Sequence, residues 1–483
     1  MTDPSTDEVF DRRQRAEALA VCCLGVFLLV VSLSSLNVAL AEIAAAFDGD
    51  IVDLQWIVDA YAVTFAGFLL AGGAIGDRIG RQRALTIGFA ILMAANGAAM
   101  FGDSVGALIA MRAIAGIGAA IMMPATLATV SEVFDDDGRA KAIAVWASIA
   151  AAGGAFGPLL GGGVLEVAGW QAVFALNAAL AAVGLVGARI WVPVLPGQRL
   201  GRFDFGGAAL SVAAVGSLIY VAIEGPVHPL SLATGFAVVG AVVFSVGFVR
   251  RQARVSSPLL PLELFDDRER VVGAGTLTLA AIGFNGVFFV GALLLQIGWG
   301  ESGFVAGLLL VPIGVVELIV ANTSVQLSHR FGTRFLITCG LVLQAVGYLG
   351  MGFTPAGDRW WFVVAGVIAG AGNGLTIPLS IERIVGTVEP AFAGAASSVN
   401  DMAIELGASV GIGLLGAIQR LWFVRSLPDG SVATINTVAD EAERSAFRSG
   451  SAAAFILAAT VAILAIPVAR ASSPRREQVA TRA

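Results

Sequence analysis

The chain has 483 residues, of which 57% are hydrophobic and only 13% charged, with a formal net charge of −6 and a mean hydropathy of +0.86. A soluble chain carries about 25% charged residues, so this one has too few charges to cover a water-facing surface. Soluble enzymes, nucleic-acid binders and disordered scaffolds are thereby excluded, and a polytopic all-α membrane protein remains.

The 60 Gly and 28 Phe fit helices packed closely in lipid, where small residues let backbones approach. Cys22, Cys23 and Cys339 all lie in apolar runs and form no disulfide framework or metal spacing, so they read as packing residues. Lys141 is the only lysine. That bias, with the Ala and Gly excess, suggests a bacterial genome rich in G and C.

A helix crosses the hydrocarbon core in about 20 apolar residues. The first half of the chain has six such runs, near 17–37, 52–73, 84–102, 106–130, 140–164 and 169–192. Two more follow at 205–223 and 231–250, and then 271–297, 303–325, 334–354, 359–380, 394–419 and 450–470. The first is too long, and too closely followed by the second, for a cleaved signal peptide. Fourteen spans are predicted.

With the N-terminus inside, 23 of the 29 basic residues fall on the inner side, five fall outside and Arg112 lies within the membrane. The positive-inside rule then puts both termini in the cytoplasm. The predicted organisation is a six-helix bundle over 1–192, a two-helix insert with its flanks over 193–263, and a second six-helix bundle over 264–483. An internal echo supports it: Arg78 and Gly80 between spans two and three match Arg330 and Gly332 between spans ten and eleven, at one offset of 252 residues. Repeats of this kind mark secondary transporters.

The energy source is narrowed by elimination. A P-loop needs Gly-Lys-Ser/Thr, and Lys141 stands between Ala140 and Ala142. The two histidines have no clustered ligands, so no metal or other cofactor is expected. An ion gradient is what remains.

Three segments carry a resemblance. The first is Gly73-Ala-Ile-Gly-Asp77-Arg78-Ile-Gly80-Arg81-Gln-Arg83, a tight turn holding fixed charges between two spans. The second is Gly153-xxx-Gly157-Pro158-xx-Gly161-Gly162 in span five. The third is Arg112, followed by Gly116 and Gly118, in span four. With Gly169-Trp170 and Phe174-Ala-Leu-Asn177, they resemble the major facilitator superfamily, in its fourteen-helix drug:proton antiporter branch of bacterial multidrug, quaternary-ammonium and antibiotic exporters.

The resemblance implies a multi-pass transporter of the bacterial inner membrane, not an enzyme, driven by protons and working as a monomer on a lipophilic small molecule. In the family, the acid of the first segment latches the inward side shut in the outward-facing state, and Asp77, Arg78 and Arg81 would take those parts. Simple positive-inside anchoring is the other reading. The span-five pattern resembles the exporters' antiporter signature. Arg112 would serve proton coupling or hold the bundle together. An intramembrane arginine is in any case a functional hypothesis.

The sequence also departs from the family. The acid of span one reads Ser32, the glutamine partner of the arginine reads Ala115, and the acid of the second-half loop reads His329. Coupling would therefore rest on other carboxyls: Asp59, Glu317, Asp401 and Glu405. Asp401 and Glu405, four residues apart, share one helix face. Three of these acids have a plainer alternative, a solvated cap for Asp59, a structural pairing for Asp401 and an interhelix hydrogen bond for Glu317. Asn37, Phe65, Asn285, Phe288 and Asn373 are the candidates for a cavity wall, although phenylalanines at helical spacing also serve as packing. His329 reads as a solvated loop residue. A dedicated exporter of one metabolite, antibiotic or lipid is the alternative function, because Ser32 removes a cavity acid.

Overall fold

The computed structural model describes residues 11–134, 136–194, 197, 203–255, 258–355, 358–386, 393–427 and 441–471. Fourteen long α-helices run through these residues. In the first half they are α1 (Arg12–Phe47), α2 (Ile51–Ile79), α3 (Arg81–Ala99), α4 (Val105–Val133), α5 (Asp136–Ala168) and α6 (Trp170–Ile190). The insert supplies α7 (Phe205–Glu224) and α8 (Leu232–Gln252). The second half holds α9 (Arg268–Leu293), α10 (Gly303–Phe331), α11 (Thr333–Gly352), α12 (Arg359–Val385), α13 (Ala393–Ser426) and α14 (Glu441–Arg470). Among the described residues there is no strand.

Thirteen of these helices are long and apolar enough to cross a membrane. The exception is α3, with 19 residues and Arg81, Gln82 and Arg83 in its first turn. Its Leu85, Phe89 and Leu92 are fully buried, so packing against α4 and α6 holds it in the bundle. The last connection is shorter than the sequence indicated. α13 and α14 extend into the predicted 421–449 loop as far as Ser426 and from Glu441, and 428–440 lie outside the described residues.

Helix starts are capped by short polar side chains, each worth about 1 kcal/mol. Ser104, Ser231, Ser302 and Asp358 accept from the backbone N–H three residues on. Three helix pairs instead join through a single glycine, one of them α5 to α6 at Gly169 with φ 73°. Gly80 links α2 to α3 at φ 92°, and Gly332 links α10 to α11 at φ 84°. A side chain there would be strained, so the internal echo in the sequence is an echo of backbone geometry.

In the first half α2 packs on α4, α1 on α5, and α3 on α4 and α6. In the second half α9 packs on α13, and α12 on α10 and α11. Two seams join the halves, α5 against α10 and α2 against α13. The insert helix α7 lies over the second of these, touching both α2 and α13. An even number of helices leaves Arg12 and Arg470 on one face, called here the terminal face, and the other is the far face.

Candidate transport cavity and the charged groups around it

At the far face the halves are pressed together. On α5 the signature glycines remove side chains where backbones meet. A Cβ at Gly153 would lie 3.2 Å from that of Val30, and one at Gly161 would lie 2.7 Å from the Ser35 carbonyl oxygen, so these two positions seat α5 on α1. A Cβ at Gly157 would overlap Ser34 Oγ. A Cβ at Gly162 would lie 2.5 Å from the Gly303 oxygen, and the Pro158 oxygen would lie 2.4 Å from a Cβ at Gly307, so α5 is equally tight on α10. Polar clasps add to the closure. Ser302 Oγ donates to Glu166 Oε1 at 2.7 Å, and Arg420 pairs with Asp50 at 2.6 Å. Gln55 Nε2 donates to the carbonyls of Ile412 and Gly413 at 2.7 and 2.8 Å.

Toward the terminal face α5 and α10 turn exposed residues outward, among them Ala144, Val145 and Ser148 on one and Val325, Arg330 and Phe331 on the other. Between these levels lies a cavity of about 420 Å³. Its wall combines Val30, Leu33, Phe284 and Phe288 with Asn37, Asn285, Asn373 and Glu317. This suits a lipophilic ligand, because apolar area supplies attraction and a few polar groups fix orientation.

Glu317 is the carboxyl of that wall, and it is held in place. Asn373 Nδ2 donates to its Oε1 at 2.7 Å, and Gln344 Nε2 donates to Asn373 Oδ1 at 3.1 Å. Asn37 and Asn285 each donate to the carbonyl four residues back, and the Asn37 amide oxygen has no hydrogen-bond partner. Phe65, expected in the wall, is instead 4% exposed in the core of the first bundle beside Tyr61. Gly116, with no side chain, lets the α2 backbone at Tyr61 and Phe65 approach α4 there.

The remaining charges fall into three groups. Arg112 is 1% exposed, with its guanidinium 4.4 Å from the Tyr61 ring centroid. Its Nη1 donates to Ser32 Oγ at 3.1 Å and its Nε to the Ile57 carbonyl at 3.3 Å. Asp59 is fully buried, not a solvated cap, beside Ser409 and Glu405 of α13. Glu405 and Asp401 are half-buried, and Asp401 accepts from Asn400 Nδ2 at 3.1 Å.

At the terminal face Asp77 pairs with Arg81, and Arg81 Nε also meets Glu132 Oε1 of α4 at 3.0 Å. Arg78 Nη1 donates to the Ala74 carbonyl at 2.9 Å, and its guanidinium lies 5.3 Å from the Phe203 ring. A Cβ on Gly73 would only touch Pro124 of α4, and Arg83 is exposed. His329 is exposed in the last turn of α10 rather than in a loop.

Gln55, Tyr61, Glu132, Gln344 and Ser409 matter to these groups and were not singled out by the sequence. Tyr61 offered the one local signal, since it stands two residues after Asp59.

The family model described as Major Facilitator Superfamily matches residues 22–412 and 323–481. The chain is 35% identical over 412 residues to the multidrug efflux pump LfrA of Mycolicibacterium smegmatis, covering 84% of this chain and 81% of that protein. It is 30% identical over 413 residues to a methylenomycin A resistance protein of Bacillus subtilis, covering 83% and 87%. In fold it is similar to a POT family transporter solved in complex with 5-aminolevulinic acid, with a TM-score of 0.68, 17% identity and coverage of 95% and 96%. The molecule is therefore a transporter and not an enzyme, a multi-pass protein of the bacterial inner membrane acting on small molecules. Two bundles around a central cavity, the Gly80 turn with its charges and the glycine-lined α5 all converge with these matches: the chain belongs to the Major Facilitator Superfamily.

Proposed function

We propose that this transporter exports lipophilic small molecules such as drugs or antibiotics, in exchange for protons, by alternating access of the cavity between its two bundles. The observation that carries the reading is the cavity itself: an apolar wall with one braced carboxyl, Glu317, closed at the far face. The positive-inside rule makes the terminal face cytoplasmic, so this conformation is the one that loads from the cytoplasm or inner leaflet. The two relatives above, named for multidrug efflux and for resistance to an antibiotic, support export as the direction. Asp77, Arg78 and Arg81 then serve as the inward latch. The transporter works as a monomer and needs no cofactor beyond the gradient.

Protein reconstituted in liposomes with an imposed pH gradient tests this. Ethidium and a neutral lipophilic antibiotic serve as probes, and ethidium should move against its gradient only when the pH gradient is present. Flux of the neutral compound alone favours the dedicated exporter, a reading that Ser32 in place of a cavity acid keeps in view. Flux indifferent to the pH gradient rules out proton exchange.

A further inference from the structure

The terminal-face corners of the two halves share a backbone turn and differ in charge. In the first half Arg81 pairs with both Asp77 and Glu132, so the corner neutralises its own arginine. At the offset of 252 residues, His329 stands in place of Asp77, Thr333 in place of Arg81, and Arg334 in place of Gln82. Gln82 and Arg334 both reach the end of the last helix in their half. Gln82 Nε2 donates to the Val192 and Arg189 carbonyls at 3.0 and 3.3 Å, and Arg334 Nη2 donates to the Arg470 carbonyl. A neutral amide suffices for this contact in the first half, so the guanidinium brings the second half a charge that the contact does not need.

A second arginine stands beside it. Arg470 Nε donates to Thr338 Oγ1 at 3.4 Å. Among the described residues, neither Arg334 nor Arg470 makes an ion pair. Both line a cavity of about 280 Å³, together with Phe331, Gly332, Phe335 and Thr338. A water takes up about 30 Å³, so the space admits a polyatomic group. α11 begins there without a side-chain cap, and its first N–H groups add positive potential. Two planar donor forks and a hydroxyl at one cavity suit the oxygens of a phosphate.

The surroundings say where that phosphate comes from. On α11 the exposed residues Phe335, Val342, Val346 and Phe353 recur at helical spacing and form one apolar stripe. On α14 the exposed Ile456, Ile463, Pro467 and Arg470 fall on one stripe in the same way. α11 packs on α14. Both stripes therefore run along the membrane-facing side and end at the arginine-lined cavity, where Phe335 and Arg470 belong to stripe and cavity alike.

We infer that this corner binds an anionic phospholipid, with its phosphate held by Arg334 and Arg470 and its acyl chains lying along the exposed stripes of α11 and α14. The lipid supplies the counter-charge that Asp77 and Glu132 supply in the first half. A free phosphate has the same headgroup chemistry but leaves both stripes uncovered.

The test titrates purified full-length protein in detergent with phosphatidylglycerol, phosphatidylcholine or inorganic phosphate. Bound lipid is counted by native mass spectrometry, and thermal unfolding is followed in parallel. Phosphatidylglycerol should bind saturably and raise the melting temperature above that reached with phosphatidylcholine, while inorganic phosphate leaves it unchanged. An arginine near the membrane surface adds about fivefold in affinity for an anionic lipid, so Arg334→Gln and Arg470→Gln should each weaken phosphatidylglycerol binding by that factor, and about 25-fold together. Arg334→Gln installs the residue that already makes this contact in the first half, and Arg334→Lys, which keeps the charge, should bind close to wild type. Arg254→Gln removes an exposed arginine of the same face outside the cavity and should change binding by less than about twofold. Comparing the two lipids within each variant separates the site from any general loss of stability. Equal response of wild type to both lipids overturns the inference, as does a loss in Arg254→Gln as large as in Arg334→Gln. Stabilisation by inorganic phosphate alone, lost in Arg334→Gln, would make the corner a site for a soluble anion and overturn the lipid as its occupant.

Discussion

Arg112 Nη1 donates to Ser32 Oγ at 3.1 Å inside the first bundle, where the guanidinium is 1% exposed and its Nη2 has no partner. A hydroxyl thus stands where the family resemblance implies an acid, and the Ile57 carbonyl and the Tyr61 face supply the rest of the solvation. A hydrogen bond to a charged group contributes about 1.5–3 kcal/mol, so Ser32→Ala should destabilise by about that much and lower the melting temperature in detergent. Ser32→Asp brings a carboxylate to the same cation and should melt at or above wild type. Melting below Ser32→Ala would show that the site rejects a second charge.

Gly80 and Gly332 each make a one-residue corner at positive φ, 92° and 84°, with extended ψ. That region is essentially reserved to glycine, and other residues lose about 1–3 kcal/mol there. Gly80→Ala and Gly332→Ala should destabilise by similar amounts, and their effects should add in the double variant because the corners lie in different bundles. Gly163→Ala is the control. A Cβ there meets nothing within 4 Å, so thermal unfolding should barely change.

The sequence reading reached the spans and the Gly80 and Gly332 corners because each is written locally, as an apolar run or as a motif repeated at a fixed offset. It also found Glu317, Asn37, Asn285 and Asn373, since polar residues inside apolar helices are conspicuous. What it could not reach depends on which helices face one another. Gln55 clasps Ile412 and Gly413 across more than 350 residues of chain, and nothing near Gln55 announces this. Glu132 pairs with Arg81 only because α4 ends beside the α2–α3 corner. Phe65 was misplaced for the same reason: helical spacing gives the face of a side chain but not its neighbour.

Gly162 lies against the backbone of Gly303 and Phe304 at the far-face closure. Backbone cannot swing aside as a side chain can, so Gly162→Leu should hold the seam apart and cut export about tenfold or more, the scale of a 1.4 kcal/mol bias between conformations. Spin labels at positions 167 and 304 should report a lengthened distance. Normal export with an unchanged distance would mean that the seam tolerates the wedge and does not gate.

Asp204 starts the insert. Burial alone would raise its carboxyl, but hydrogen bonds from Gly207 N, Arg251 and Gln252 outweigh this and hold it below the usual aspartate range. A depressed folded value contributes stability above the unfolded value of about 3.9 and loses it as pH falls through the folded value. The docking of α7 on α8 should therefore hold at neutral pH and weaken only below about pH 4. Asp204→Asn should melt lower at neutral pH and show less loss on acidification. An acid profile identical to wild type would assign the acid sensitivity to other carboxyls.

Glu317 stands in an apolar wall with its Oε1 held by Asn373 at 2.7 Å. Glutamine can keep that hydrogen bond while removing the charge, so Glu317→Gln isolates electrostatics from shape. A charge-assisted contact of about 1.5–3 kcal/mol corresponds to about 10–100-fold in affinity. Ethidium should bind more weakly by that factor, measured by fluorescence titration of the purified protein, while a neutral ligand of similar size binds within about twofold, as expected for contacts fixed by area alone. Equal losses for both would show that the substitution deforms the cavity, and no loss for either would move the recognition of cations to another carboxyl.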